Sequence, residues 1–194
     1  MAVHQNSGQV SHPAPPAAAT RGSAMSPLEH LAEFVDEAAF RTANRKVASS
    51  VTVITTRAGK VRHGLTATAV CSVTADPPTM LICVNRSASA EKFIQESGVF
   101  AINFLTEEQH KVASLFSTSR LAPEERFAEG QWRSLKTGSP VLEGSLASFD
   151  CVVEEMLLQG THHIYFGRVV AATSLDQGAL IYRDGSFRRL APVG

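Results

Sequence analysis

The sequence predicts a mainly β fold, a closed or split antiparallel β-barrel with flanking helices. Three observations carry that prediction. Residues 50–56, 99–104, 148–158 and 162–173 are β-branched or apolar runs of strand length or more, turn residues such as Gly59, Gly160 and Asp184-Gly185 punctuate them, and helical signals are few. No internal repeat is visible.

Taken in order, residues 1–25 are rich in Pro, Ala, Ser and Gly and predict a disordered tail, leaving 26–194 as one domain. Ser26-Pro27-Leu28-Glu29 has the form of a capping box, and Leu31, Phe34, Val35, Ala38 and Ala39 follow at helical spacing, so a helix is expected over about 27–47. Arg41, Arg45 and Lys46 fall late in it, where they complement the negative end of the dipole. Residues 50–56 predict a strand, 57–62 a hairpin turn around Gly59, and 64–74 a second strand alternating with period two. Asp76-Pro77-Pro78 stops that strand, and the apolar run 80–84 reads as a strand buried on both faces. A short helix over 88–96 ends at Gly98, a strand covers 99–104, and Thr106-Glu107-Glu108-Gln109 opens a helix carrying Val112, Leu115 and Phe116. Residues 117–138 are polar and irregular, a length typical of a lid, a partner contact or a mobile segment. Two long strands joined at Gln159-Gly160-Thr161 and a last hairpin at Asp184-Gly185 complete the chain.

The chain has 194 residues, of which 44% are hydrophobic and 19% charged, enough for a single sizeable core. Its 18 basic residues balance 18 acidic ones, so there is no electrostatic footprint for nucleic acid, and no apolar run reaches the ~20 residues that span a bilayer. The expectation is a soluble, cytoplasmic protein. Cys71, Cys83 and Cys151 are odd in number and lie in apolar runs, which predicts three buried thiols in a reducing compartment.

Chemistry centres on residues 64–87, GLTATAVCSVTADPPTMLICVNRS. Its strand face of Thr66, Thr68, Val70, Ser72 and Thr74 is small and rich in hydroxyls, which lets a flat ring or a phosphate approach the backbone, and Asn85-Arg86-Ser87 at a strand end can hold an anion. A Thr-rich solvent face beside an ordinary turn has the same pattern. Neither GxGxxG nor GxxxxGK[ST] is present, and no His and Asp can be assigned to a nucleophilic Ser. His162 and His163 are adjacent and would point to opposite faces of a strand, so they do not suggest a metal site. His163 is expected to tolerate alanine unless its face forms a dimer contact.

The strings ASSVTVITT at 48–56, the 64–87 stretch, GVFAINF at 98–104, GTHHIYFGRV at 160–169, Leu180-Ile181-Tyr182 and Phe187-Arg188-Arg189-Leu190 resemble the short-chain flavin reductases. These are reductase components of two-component flavin-dependent monooxygenases. The resemblance implies an FMN-binding split barrel, a homodimer with flavin near the subunit interface, FMN or FAD as flavin, NADH or NADPH as hydride donor, and a partner monooxygenase. By position, it places flavin contacts on Thr66, Ala67, Thr68, Ala69, Cys71, Ser72 and Val73, on Cys83, Val84, Asn85, Arg86 and Ser87, and on Ser50 and Val51. The family's Gly-Asp-His motif falls on Gly160-Thr161-His162, with Thr161 in place of the acidic residue, and implies that His162 positions or stacks nicotinamide. A non-catalytic flavin-binding or electron-carrying protein on the same barrel is the alternative, and an interaction barrel without cofactor a third.

Overall fold

The computed structural model describes residues 34–193. The expected 1–25 tail and the 27–33 part of the expected helix lie outside them. The helix that is present, α1 (Glu37–Asn44), is shorter than expected: residues 34–36 are not helical, Phe34 and Val35 are exposed, and α1 buries none of its residues. Past Asn44 the chain tightens, Lys46 N–H donating to the Ala43 carbonyl, so Arg45 and Lys46 stand beyond the helix. Both bind the Asp184 carboxylate, at 3.1 and 3.0 Å, instead of facing the helix dipole.

The first strand divides at Val51 into β1 (Ser49–Ser50) and β2 (Thr52–Ala58), and β3 (Val61–Ala67) returns through Gly59, whose φ of +59° suits a residue without Cβ. The expected continuous strand over 64–74 breaks at Thr68-Ala69, and β4 (Val70–Ala75) pairs instead with β5 (Pro78–Asn85). Helix α2 (Glu91–Ser97), capped by Gly98 at φ 67°, leads into β6 (Val99–Phe104). The capping box Thr106 to Gln109 forms and opens a 3-10 turn that continues into α3 (His110–Ser117). The segment 117–138 is not irregular throughout: it holds a 3-10 turn (Glu124–Ala128) with Arg126 and Phe127 buried, and β7 (Trp132–Ser134), which pairs with β8 (Pro140–Leu142). The long strands β9 (Ala147–Gln159) and β10 (His162–Ser174) and the hairpin of β11 (Leu180–Arg183) and β12 (Ser186–Arg189) follow.

Seven strands form an antiparallel sheet in the order β3-β2-β6-β9-β10-β5-β4, while β1, β11 and β12 form a three-stranded one. The break at Thr68-Ala69 explains the shape. A flat sheet of seven strands would separate its edges by about 29 Å, at about 4.8 Å per gap, yet two residues join β3 at one edge to β4 at the other, a reach of at most about 11 Å. The sheet is therefore rolled until its edges meet. Beside that seam Thr52 Oγ1 of β2 donates to the Ala67 carbonyl at the end of β3 (2.7 Å), and the Cys83 N–H of β5 donates to the Ala69 carbonyl in the link (3.0 Å).

Neighbours on β2 face opposite ways, so Val53 packs with Val51, Leu105, Phe116 and Phe127 against α3, while Ile54 enters the barrel cluster of Ile82, Val84, Phe100, Ile102 and Tyr165. On β5, Met80, Ile82 and Val84 are buried but Leu81 and Cys83 only half so, which corrects the expectation of burial on both faces. Gly167 is where the barrel closes most tightly: a Cβ there would lie 2.3 Å from Phe100 Cζ and 2.9 Å from Cys151 Cβ. Of the three cysteines only Cys151 is buried; Cys83 is half-buried and Cys71 exposed, because β4 is an edge strand. Burial, and then the neighbouring Asp150, push the Cys151 thiol up to about 12, so it is a packing group. No helix among the described residues is long and apolar enough to cross a membrane.

Candidate functional site

A cavity of about 850 Å³ opens beside the seam, a volume within the range of small-molecule sites. One wall is Leu65, Thr66, Ala67, Thr68 and Ala69, the end of β3 and its link to β4. Small side chains here leave the backbone approachable from the cavity. Thr66 Oγ1 donates to the Ala113 carbonyl at 2.7 Å, so this hydroxyl ties β3 to α3.

A second wall comes from the end of β5 and the loop after it: Cys83, Asn85, Ser87, Ala88 and Ser89. Asn85 Oδ1 accepts from the N–H (2.9 Å) and hydroxyl (2.8 Å) of Ser87, and the Arg86 N–H donates to the Thr161 carbonyl (3.0 Å), which fixes the loop against the start of β10. Burial, and then Cys71, push the Cys83 thiol up, so this wall presents a neutral sulfur. The exit of α3 adds Ser114, Phe116, Ser117, Thr118 and Ser119, the following 3-10 turn adds Arg126, and Val51, Tyr182 and Phe187 close the side toward the small sheet. His162 also lines the cavity, with its Nδ1 3.0 Å from Thr161 Oγ1. The threonine that replaces an acidic residue thus still offers this ring a hydrogen-bond partner.

Of the residues predicted for the site, Val51, Thr66, Ala67, Thr68, Ala69, Cys83, Asn85, Ser87 and His162 line the cavity. The others do not. Val84 alternates away from Cys83 into the core and is 0% exposed. Cys71, Ser72 and Val73 lie past the break, exposed on edge strand β4, and Ser50 pairs with Ile181 in the small sheet. Arg86 is exposed in its turn, outside the cavity lining. Sequence reasoning missed Ser89, the serines and threonine at the end of α3, and Arg126. A polar segment too long for a plain loop was the available signal, but nothing in it said that Arg126 would be buried.

His163 faces the opposite side of β10 from His162, as alternation requires, but it is not idle. Its Nδ1–H meets Glu91 Oε1 at the start of α2, and the same oxygen accepts from the Tyr165 hydroxyl at 2.6 Å. Glu91 and Tyr165 are buried, so alanine at His163 disturbs a buried polar group, contrary to the near-neutral expectation. Burial, followed by hydrogen bonding to Glu91 and its charge, pushes the Tyr165 phenol up. Among the described residues no group of three or more His, Cys, Asp or Glu could hold a metal.

Residues 44–191 match the model of the flavin reductase like domain. The chain is 42% identical over 167 residues to the FMN reductase (NADH) RutF 1 of Methylorubrum extorquens, covering 86% of this chain and 83% of that protein. Among solved structures it is similar to BorF, the flavin reductase component of a bacterial two-component tryptophan halogenase, with a TM-score of 0.74, 34% identity, and coverage of 81% of this chain and 100% of that one. It is also similar to nitrilotriacetate monooxygenase component B from Mycobacterium thermoresistibile, with a TM-score of 0.74, 29% identity, and coverage of 79% and 86%. A match over 44–191, on a rolled sheet whose seam borders a cavity, makes this chain a member of the flavin reductase like domain family.

Proposed function

We propose that the protein is an NADH-dependent FMN reductase that passes reduced flavin to a separate monooxygenase component. The observation that carries this reading is the cavity at the seam, walled by Thr66 to Ala69 on one side and by Cys83, Asn85, Ser87 and Ser89 on another, with His162 in its lining. The family membership and the RutF relative support FMN and NADH; the two structural neighbours support a role as one component of a two-component system.

Bound flavin supplies the hydride-accepting ring and carries the electrons onward. The chain has to position and shield. Ala67, Ala69 and Cys83 would give a bound flavin a neutral surface, the Asn85–Ser87 turn would fix one end of it, and His162, held by Thr161, would position the nicotinamide. Such a step needs no general acid, which fits a site whose residues are mostly hydroxyls and small apolar groups.

We further infer a homodimer, supported by the exposed apolar end of β9: Met156 is 41%, Leu157 45% and Leu158 57% exposed. Leu158→Glu should then shift the sedimentation coefficient toward that of a monomer. A cytoplasmic location is part of the same reading, since the donor is a cytoplasmic nucleotide and no disulfide links the cysteines. The test of function is steady-state NADH oxidation by the purified protein with FMN, FAD and riboflavin in turn. Tight FMN binding without NADH turnover would make the protein a flavin carrier and refute the enzymatic reading.

A further inference from the structure

The β2–β3 hairpin and the β7–β8 hairpin line a second concavity, a groove of about 310 Å³ that shares no lining residue with the cavity at the seam. Arg57, Lys60, Arg62 and Arg133 line it, and no acidic residue does. In a chain whose 18 basic residues balance 18 acidic ones, these four make a local excess of positive charge that the composition conceals. One of them is already spent: Arg62 binds Glu124 at 2.5 Å and lies 4.4 Å from the centre of the Phe127 ring. Arg57, Lys60 and Arg133 are exposed and form no ion pair among the described residues. The Nε of Arg57 donates to the Gly59 carbonyl at 2.7 Å, a neutral partner that leaves the charge uncompensated.

Three features suit this groove to a protein segment of opposite charge. The free cations come from two separate hairpins and converge on a concave surface, where a chain carrying carboxylates can meet all of them. Trp132 is half-buried in the wall, its indole N–H donating to the Glu129 carbonyl at 3.0 Å, and Trp and Arg are the residues that protein interfaces favour. All three residues of β7 line the groove, and β7 pairs with β8 alone, so its other edge is open to an extended chain. Nucleic acid is the poorer match, because it needs cations spaced along a stripe, and here three free cations share one short groove on a chain of zero net charge.

We propose that this groove docks an acidic, extended segment of a protein partner, with its carboxylates against Arg57, Lys60 and Arg133 and its backbone along β7. The surface stands whether or not the cavity at the seam takes flavin.

The full-length protein is titrated with a hexaglutamate peptide, with binding measured by calorimetry and located by the emission of Trp132, the chain's single tryptophan. Saturable binding that shifts this emission is expected, with none for the neutral glutamine counterpart. Affinity should fall as salt rises toward about 1 M, where charges more than about 3 Å apart are screened. Lys60→Glu combined with Arg133→Glu reverses two exposed charges that hold nothing else in place, and should weaken the peptide by at least about tenfold. No binding, binding that leaves Trp132 emission unchanged, or an affinity that the double variant does not alter would each overturn the proposal. A hexathymidylate that binds as tightly as the peptide would overturn it in favour of nucleic acid. Should the double variant fail to fold, the emission and salt response of the wild type, set against the glutamine peptide and the hexathymidylate, still decide the matter.

Discussion

Glu91, Tyr165 and His163 give a sharp test of how α2 is held on the barrel. Glu91 is 6% and Tyr165 1% exposed, and the phenol donates to Glu91 Oε1 at 2.6 Å. Glu91→Leu strands a buried hydroxyl and a half-buried imidazole, and an unsatisfied buried donor costs about 1–3 kcal/mol. Two such groups make the expected loss about 2–6 kcal/mol. Tyr165→Phe removes only the donor and leaves Glu91 with His163, for about 1 kcal/mol. In the double variant the phenol is already gone, so the two losses should fall short of additivity by about 1–2 kcal/mol. Urea unfolding of the four proteins measures this, provided the m-values agree. Because α2 follows the 85–90 loop, Glu91→Leu should also weaken FMN binding, while Tyr165→Phe should barely alter it. Additivity within about 0.5 kcal/mol would refute the idea that the three groups act as one buried unit.

His162→Ala should raise KM for NADH or slow flavin reduction by about tenfold and leave FMN affinity nearly unchanged; stopped-flow reduction that matches wild type would remove the residue from positioning. His63 is buried and stacked 3.4 Å from Phe93, and burial, aided by Lys92 and Arg126, lowers its pKa from 6.5. The unfolded chain then binds a proton that the fold refuses, so this contribution is complete above pH 6.5 and is lost as pH falls below it. Melting temperatures measured across that range should drop toward acid in wild type and less steeply in His63→Gln; equal slopes would refute the assignment.

Local features were legible in the sequence, and non-local ones were not. Gly59, Gly98 and the Thr106 to Gln109 box each announce a turn or cap through chemistry within four residues, and each lies where that chemistry puts it. The run 99–104 was equally plain as a strand. The break at Thr68-Ala69 was hidden, because TATAV keeps its period across it and only pairing with distant β2 and β5 decides where each half goes. The resemblance pointed to stretches that only partly line the cavity, and it could not tell Cys83 from Val84, which a one-residue alternation sends to opposite faces. Arg126 was out of reach for a further reason: sequence patterns assign arginines to solvent, whereas the fold buries this one against Gly64, Ser89 and Leu121.

The two-residue seam also bears on dynamics. Ladder pairing on β3 stops at Ala67 and on β4 begins at Val70, so few main-chain bonds hold the two edges together. A ligand lying between Thr66 to Ala69 and Cys83 would touch the end of β3, its link to β4, and β5 at once, and would act as a staple across them. At a hundredfold excess over its Kd such a ligand adds about 2.7 kcal/mol of apparent stability, and the amide of Cys83, which bridges to Ala69, should exchange with deuterium more slowly when it is bound. Handing reduced flavin to an oxygenase and loosening the barrel would then be a single event, with the emptied reductase most open at the place where the next flavin enters.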